Sequence, residues 1–103
     1  MWIVLNKSFL SIVENRNNNK ELLVRSRVKG DIEKVFPNSN VFEDNNADYK
    51  YRSYLDREEV AYNISQELLN INYDNFKKSV SKEDGLRINA YMDVWSALYK
   101  MQK

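Results

Sequence analysis

A chain of 103 residues has room for one domain with a single hydrophobic core, and we expect residues 1–103 to form a single domain. The composition, 43% hydrophobic and 30% charged, is that of a globular protein and excludes an intrinsically disordered chain. A net charge of +1 gives no general attraction to nucleic acid, and the lack of cysteine and histidine excludes disulfides, thiolate metal sites and Ser-His or Cys-His nucleophile pairs.

The first third of the chain predicts β-strands. Apolar runs at Trp2–Leu5 and Phe9–Val13 are separated by three polar residues, a suitable length for a hairpin connection. The asparagine-rich segment 15–20 is typical of a turn, because asparagine tolerates left-handed backbone angles and bonds its own main chain. A third strand is expected over Glu21–Arg27, where apolar and polar side chains begin to alternate.

A fourth strand is expected further along the chain, after a short helix and a loop. The apolar spacing within residues 32–36 predicts the helix, which ends before Pro37, and residues 41–48 are expected to be an acidic loop. Side chains then alternate over residues 49–55. We expect the odd-numbered rings to face a core under helices and the even-numbered side chains to face solvent.

The second half of the chain predicts helices. Asp56 followed by Glu59 resembles a capping box, which predicts a helix over about 57–70. Asp74 is expected to cap a short helix over about 75–80.

A last helix is expected over about 83–101, where a broad apolar stripe includes Trp95, which we expect to lie in the core. The resulting element order is β-β-β-α-β-α-α-α. This order predicts an α+β domain in which an antiparallel sheet of three to four strands is covered on one face by three to four helices.

The residue types leave little scope for catalysis. The two glycines stand apart from each other, so the chain lacks a glycine-rich phosphate loop. Carboxylates cluster within 43–48 and 56–59, where turn and capping roles explain them better than a Mg²⁺ or Ca²⁺ site. We expect no catalytic residue, bound metal, cofactor or enzyme activity; a metal-dependent hydrolase is the remaining enzymatic alternative.

Candidate partner-binding residues lie on the third and fourth strands. Lys50, Arg52 and Tyr54 interleave cations with a ring, and Arg25 and Arg27 lie beside them if these two strands are neighbours. Exposed rings interleaved with cations are typical of surfaces that stack nucleobases. Tyrosine and arginine also dominate protein–protein contacts. The pattern leaves RNA, a protein partner and ordinary sheet packing open.

No membrane contact is expected. Only four apolar residues follow Met1 before the first polar side chain, too few for a signal peptide or a membrane-spanning helix. We therefore expect a cytoplasmic protein. The sequence does not indicate its oligomeric state.

Several segments together carry a resemblance: the opening MWI (1–3) with FLSIV (9–13), LLVRSRVKGDIE (22–33), ADYKYRSYLDREEVA (47–61), INYDNFKKSV (71–80) and YMDVWSALYKMQ (91–102). Their arrangement resembles a family of small bacterial and phage-associated proteins of this length with no assigned activity. The short, cysteine-free, asparagine-rich chain is also similar to anti-CRISPR candidates described in Leptotrichia-type bacteria, which were proposed to block the type VI RNA-guided ribonuclease.

The resemblance implies a non-enzymatic inhibitor that binds the type VI effector protein or its guide RNA complex. The alternative is a small free-standing domain that binds RNA or another single-stranded nucleic acid through the basic and aromatic side chains of residues 50–54.

Overall fold

A computed structural model describes the whole chain, Met1–Lys103. The strands are β1 (Trp2–Val4), β2 (Phe9–Glu14), β3 (Glu21–Ser26), β4 (Phe42–Glu43) and β5 (Tyr51–Asp56). The helices are α1 (Asp31–Val35), α2 (Arg57–Leu69), α3 (Phe76–Ser79) and α4 (Gly85–Tyr99). The predicted α+β class is confirmed. None of the helices combines the length and apolarity needed to cross a membrane.

The chain forms two compact units, residues 1–71 and residues 72–103. The first unit contains all five strands with α1 and α2, and the second contains α3 and α4. That residues 1–103 act as a single domain stays a prediction.

The five strands form one antiparallel sheet in the order β1-β2-β3-β5-β4. The prediction of three to four strands is therefore corrected to five, with the element order β-β-β-α-β-β-α-α-α. The additional strand is β4, which lies in the segment expected to be a loop. Two residues are too few to show an alternating pattern, so only pairing with β5 identifies them as a strand.

The core of the first unit lies between one face of the sheet and helices α1 and α2. Alternate residues of the strands point to this face because successive strand side chains point to opposite sides. The buried cluster consists of Leu10, Ile12, Val24, Ile32, Val35, Phe36, Leu55 and Val60. Phe36 follows α1 directly and is fully buried. The predicted covering of one sheet face is thus provided in this unit by α1 and α2.

A buried carboxylate joins α1 to the connection between β1 and β2. The Asp31 carboxylate accepts a hydrogen bond from the Phe9 backbone N–H at 3.0 Å. Its backbone carbonyl accepts one from the Ser8 hydroxyl at 2.8 Å, and the Lys34 ammonium lies 3.7 Å from the carboxylate. These tertiary contacts make Asp31 a buried structural residue.

Helix α2 begins where the sequence predicts. The Asp56 carboxylate accepts hydrogen bonds from the backbone N–H groups of Glu58 at 2.8 Å and Glu59 at 3.4 Å. These bonds satisfy two of the N–H groups that a helix start leaves without partners. The predicted N-cap is confirmed, and the helix ends at Leu69.

Both helices of the second unit begin at a side-chain cap, and for α3 the cap is one residue away from the predicted position. The prediction that Asp74 caps α3 is wrong: the Asn75 side chain accepts the hydrogen bond from Lys78 N–H at 3.1 Å. The Asp84 carboxylate caps α4 by accepting a hydrogen bond from Arg87 N–H at 3.2 Å. Several residues of this segment can serve as caps, so composition alone does not select one.

The prediction that Trp95 lies in the core is wrong, because this side chain is 50% exposed. Its ring stacks on Tyr99 with the centroids 5.3 Å apart, and the Lys77 ammonium lies 4.9 Å from the Trp95 ring centroid. Within residues 72–103 the other helix is the four-residue α3. An apolar stripe shows which face of a helix is apolar, but it does not supply an element to cover that face.

Trp95→Ala is expected to lower the free energy of unfolding by about 1–2 kcal/mol, the combined value of an aromatic pair and an exposed cation–π contact. Urea denaturation followed by circular dichroism measures this difference. Leu86→Ala is the control, because Leu86 on the same helix is 88% exposed and its truncation is expected to change stability little. A loss above about 3 kcal/mol for Trp95→Ala would indicate a buried ring and contradict this expectation.

Candidate functional site

The sheet has a second face, opposite α1 and α2, which we call the outer face. Directly paired residues in antiparallel strands share a face, so the register defines which side chains lie side by side. One row on the outer face crosses all five strands and consists of Trp2, Ser11, Arg25, Arg52 and Phe42. At about 4.8 Å between neighbouring strands, this cross-strand row is about 19 Å long.

Aromatic pairs that include exposed rings lie at both ends of the cross-strand row. Trp2 is 75% exposed and meets Phe9 edge to face, with ring centroids 6.2 Å apart. At the other end Phe42 stacks on Tyr54, which is 48% exposed, with centroids 5.9 Å apart and ring planes 25° from parallel. The row therefore has rings at both edges of the sheet and two guanidinium groups at its centre.

Tyr49 is buried, but its surroundings differ from those expected. The guanidinium carbons of Arg25 and Arg27 lie 4.6 and 4.2 Å from its ring centroid, and the ring does not belong to the cluster under α1 and α2. The prediction that helices cover this ring is therefore wrong. Strand β5 begins only at Tyr51, so the alternation of the strand does not govern position 49.

The arginines also hold the loop that precedes β5. Arg27 donates a hydrogen bond to the Asp48 carbonyl at 2.8 Å, and Arg52 donates one to the Tyr49 carbonyl at 3.3 Å. The Arg52 guanidinium lies 3.9 Å from the Asp48 carboxylate. Arg27 and Arg52 therefore stabilise this loop, whatever ligand they also bind.

Four of the five predicted site residues lie together. Arg25 and Arg52 are direct partners across β3 and β5, Tyr54 follows on the same face of β5, and Arg27 lies against the same tyrosine ring as Arg25. Within β5 the expected alternation is confirmed: Tyr54 is exposed, whereas Ser53 and Leu55 are buried.

Lys50, the fifth predicted site residue, lies apart from the others. Its ammonium is 3.5 Å from the Glu43 carboxylate and 5.6 Å from the Tyr51 ring centroid. Glu43 and Tyr51 are paired in register, and Tyr51 packs against the core, so this pair belongs to the face opposite Arg52. Lys50 precedes β5, which is why the alternation of the strand misplaces it.

A concavity of about 390 Å³ lies on the outer face beside the cross-strand row. Val13, Leu23 and Tyr54, which form the next row on that face, line it together with Arg25 and Arg52.

The connection between β2 and β3 also lines this concavity, through residues 15–17. Arg16 in this connection is exposed and makes no hydrogen bond or ion pair. Sequence reasoning missed Arg16, because a lone arginine in a turn belongs to no periodic pattern.

Two of the carboxylates expected to serve caps and turns do so: Asp56 caps α2, and Asp44 accepts a hydrogen bond from the Asn46 backbone N–H at 3.0 Å. Glu43 lies instead in β4 and pairs with Lys50. No group of three or more aspartate and glutamate side chains is arranged to hold a metal ion.

The outer face can stack planar groups on its rings and bind anions through its guanidinium groups, which match phosphate and carboxylate geometry. Comparisons of the chain with protein-family models, curated proteins and solved structures found no significant match, so no activity or site is carried over from another protein.

Proposed function

We propose that this chain is a non-enzymatic binding protein that engages single-stranded RNA through the outer face. The cross-strand row is the observation that supports this proposal, because it places two arginines between aromatic pairs that include exposed rings. Unpaired bases stack on aromatic side chains while phosphates bind cations, and each stacked base contributes about 1–3 kcal/mol.

The pairing of Arg25 with Arg52 favours an anionic ligand over an apolar protein surface. Like charges directly opposite each other in a sheet are destabilising. The Asp48 carboxylate lies 3.9 Å from the Arg52 guanidinium, which offsets part of this repulsion. A phosphate above the pair offsets more of it and gains charge-assisted hydrogen bonds from both side chains.

The most concrete form of the proposal is an anti-CRISPR-type inhibitor that acts in the cytoplasm. In this form the outer face binds the guide RNA complex of a type VI effector, a protein–RNA partner, and inhibits it stoichiometrically without chemistry by this chain. In the alternative form the chain is a free-standing domain that binds RNA directly.

Tyr54→Ala is expected to weaken binding to a single-stranded RNA about 5- to 150-fold, the equivalent of one lost base stack of about 1–3 kcal/mol. Fluorescence anisotropy with labelled RNA measures the affinity. Tyr62→Ala is the matched control, because Tyr62 is 63% exposed on α2, away from the outer face, and its truncation is expected to leave affinity unchanged.

The same titration has two further arms. Repeated at several salt concentrations, it is expected to give a log–log slope of about −0.7 for each phosphate that Arg25 and Arg52 neutralise. Repeated with a type VI effector carrying its guide, it separates the two forms: binding only to the loaded effector indicates the inhibitor. Equal losses for Tyr54→Ala and Tyr62→Ala, or no binding in any arm, would contradict the proposed function.

A further inference from the structure

The concavity on the outer face is bounded by the connection between β2 and β3. Its apolar lining comes from Val13 and Leu23, which are direct partners across β2 and β3, and the Tyr54 ring lies next to Leu23 in the same register. Residues 15–17 line it beyond the ends of these strands. The recess therefore lies beside the cross-strand row, toward the ends of β2 and β3 that this connection joins, within reach of the end of a nucleic-acid strand bound along the row.

The charges around the recess are mainly positive. Its lining includes three arginines, Arg16, Arg25 and Arg52, and one carboxylate, that of Glu14. The neighbouring Glu21 carboxylate already accepts a hydrogen bond from the Asn15 side-chain amide at 3.3 Å.

Two of these arginines make other hydrogen bonds, and Arg16 makes no hydrogen bond or ion pair. Arg25 donates to the Ser11 hydroxyl at 2.7 Å, and Arg52 donates to the Tyr49 carbonyl at 3.3 Å. All the donors of Arg16 remain available to a ligand, since a guanidinium carries five N–H groups in a planar fork.

We propose that this recess binds the terminal phosphate of the RNA strand, with the base of the terminal nucleotide against Tyr54. This inference rests on the proposed function. A terminal phosphate monoester carries about −1.5 to −2 charge at neutral pH, more than an internal diester, and so gains more from three arginines. The volume of about 390 Å³ lies within the range of sites for small organic ligands, about 300–1,000 Å³, and exceeds what a free phosphate ion needs.

The test uses three RNA oligonucleotides of one sequence, labelled internally and bearing a 5′-phosphate, a 3′-phosphate or hydroxyls at both ends. The whole chain is expected to bind one phosphorylated form about tenfold more tightly than the hydroxyl form, the gain from about one charge-assisted contact. The arm that shows the preference identifies which end of the strand enters the recess.

Arg16→Gln is expected to abolish this preference and to bind all three oligonucleotides like the hydroxyl form. Lys29→Gln is the matched control: it makes the same charge change at an exposed residue outside the recess, and the preference is expected to persist. Because Arg16 is exposed and makes no hydrogen bond or ion pair, its variant is expected to keep the melting temperature of the parent protein, which circular dichroism checks.

Three outcomes overturn the inference. Equal binding of the three oligonucleotides removes the terminal-phosphate site but leaves the proposed RNA-binding function standing. A preference that persists in Arg16→Gln places the phosphate elsewhere. Absence of binding to all three oligonucleotides overturns the inference, and it overturns the proposed function as well if the loaded type VI effector is not bound either.

Discussion

Phe36→Ala is expected to lower the free energy of unfolding by about 3–5 kcal/mol, the usual range for truncating a buried phenylalanine. Phe36 is fully buried in the cluster between the sheet and helices α1 and α2. Its backbone N–H donates to the Ile32 carbonyl at 2.8 Å, and α1 is held to the β1–β2 connection by Asp31. These bonds limit how far the backbone can relax, so most of the cavity remains.

A loss of this size is a large share of the total stability of an ordinary domain, about 5–15 kcal/mol. Urea denaturation followed by circular dichroism measures it. Phe42→Ala is the matched control, because this phenylalanine is exposed on the outer face and is expected to cost only about 1 kcal/mol through its contact with Tyr54. Similar losses for the two variants would contradict the assignment of the core.

Arg52→Glu is expected to reduce RNA affinity by more than about 100-fold, because a central donor of the cross-strand row becomes a carboxylate that repels phosphate. One charge-assisted hydrogen bond contributes about 1.5–3 kcal/mol, and the reversed charge adds repulsion to its loss. Fluorescence anisotropy with single-stranded RNA measures the change. Since Arg52 also donates to the Tyr49 carbonyl, a melting curve must accompany the titration to show that the variant is folded.

Lys50→Glu is the control for this prediction. It makes the same charge change two residues away, but the Lys50 ammonium lies by Glu43 and Tyr51 instead of on the outer face. Its effect is confined to screened, long-range electrostatics and is expected to stay within about threefold at physiological salt. Equal losses for Arg52→Glu and Lys50→Glu would show a general charge effect and contradict the outer-face site.

Features that depend on a few neighbouring residues could be predicted from the sequence. Asp56 caps α2 because its carboxylate needs only the backbone N–H groups two and three residues later. Tyr54 is exposed between buried Ser53 and Leu55 because strand side chains alternate between faces. The α+β class follows from the order of such segments.

The candidate site depended on tertiary structure. Arg25 and Arg52 are far apart in the chain, and only the register of β3 with β5 makes them direct partners. Arg16 lies in the β2–β3 connection, and it comes near the other two arginines only because this connection borders the recess that they line.

By itself, the sequence determined the start of α2, the alternation within β5 and the absence of cysteine and histidine chemistry. Only the tertiary structure decided that Lys50 lies away from Arg52, that arginines bury Tyr49, and that Trp95 is exposed. The physical reason is the range of the interactions involved. Caps and alternation act over a few residues, whereas strand register, the point where a strand begins and the covering of an apolar face depend on contacts between distant segments.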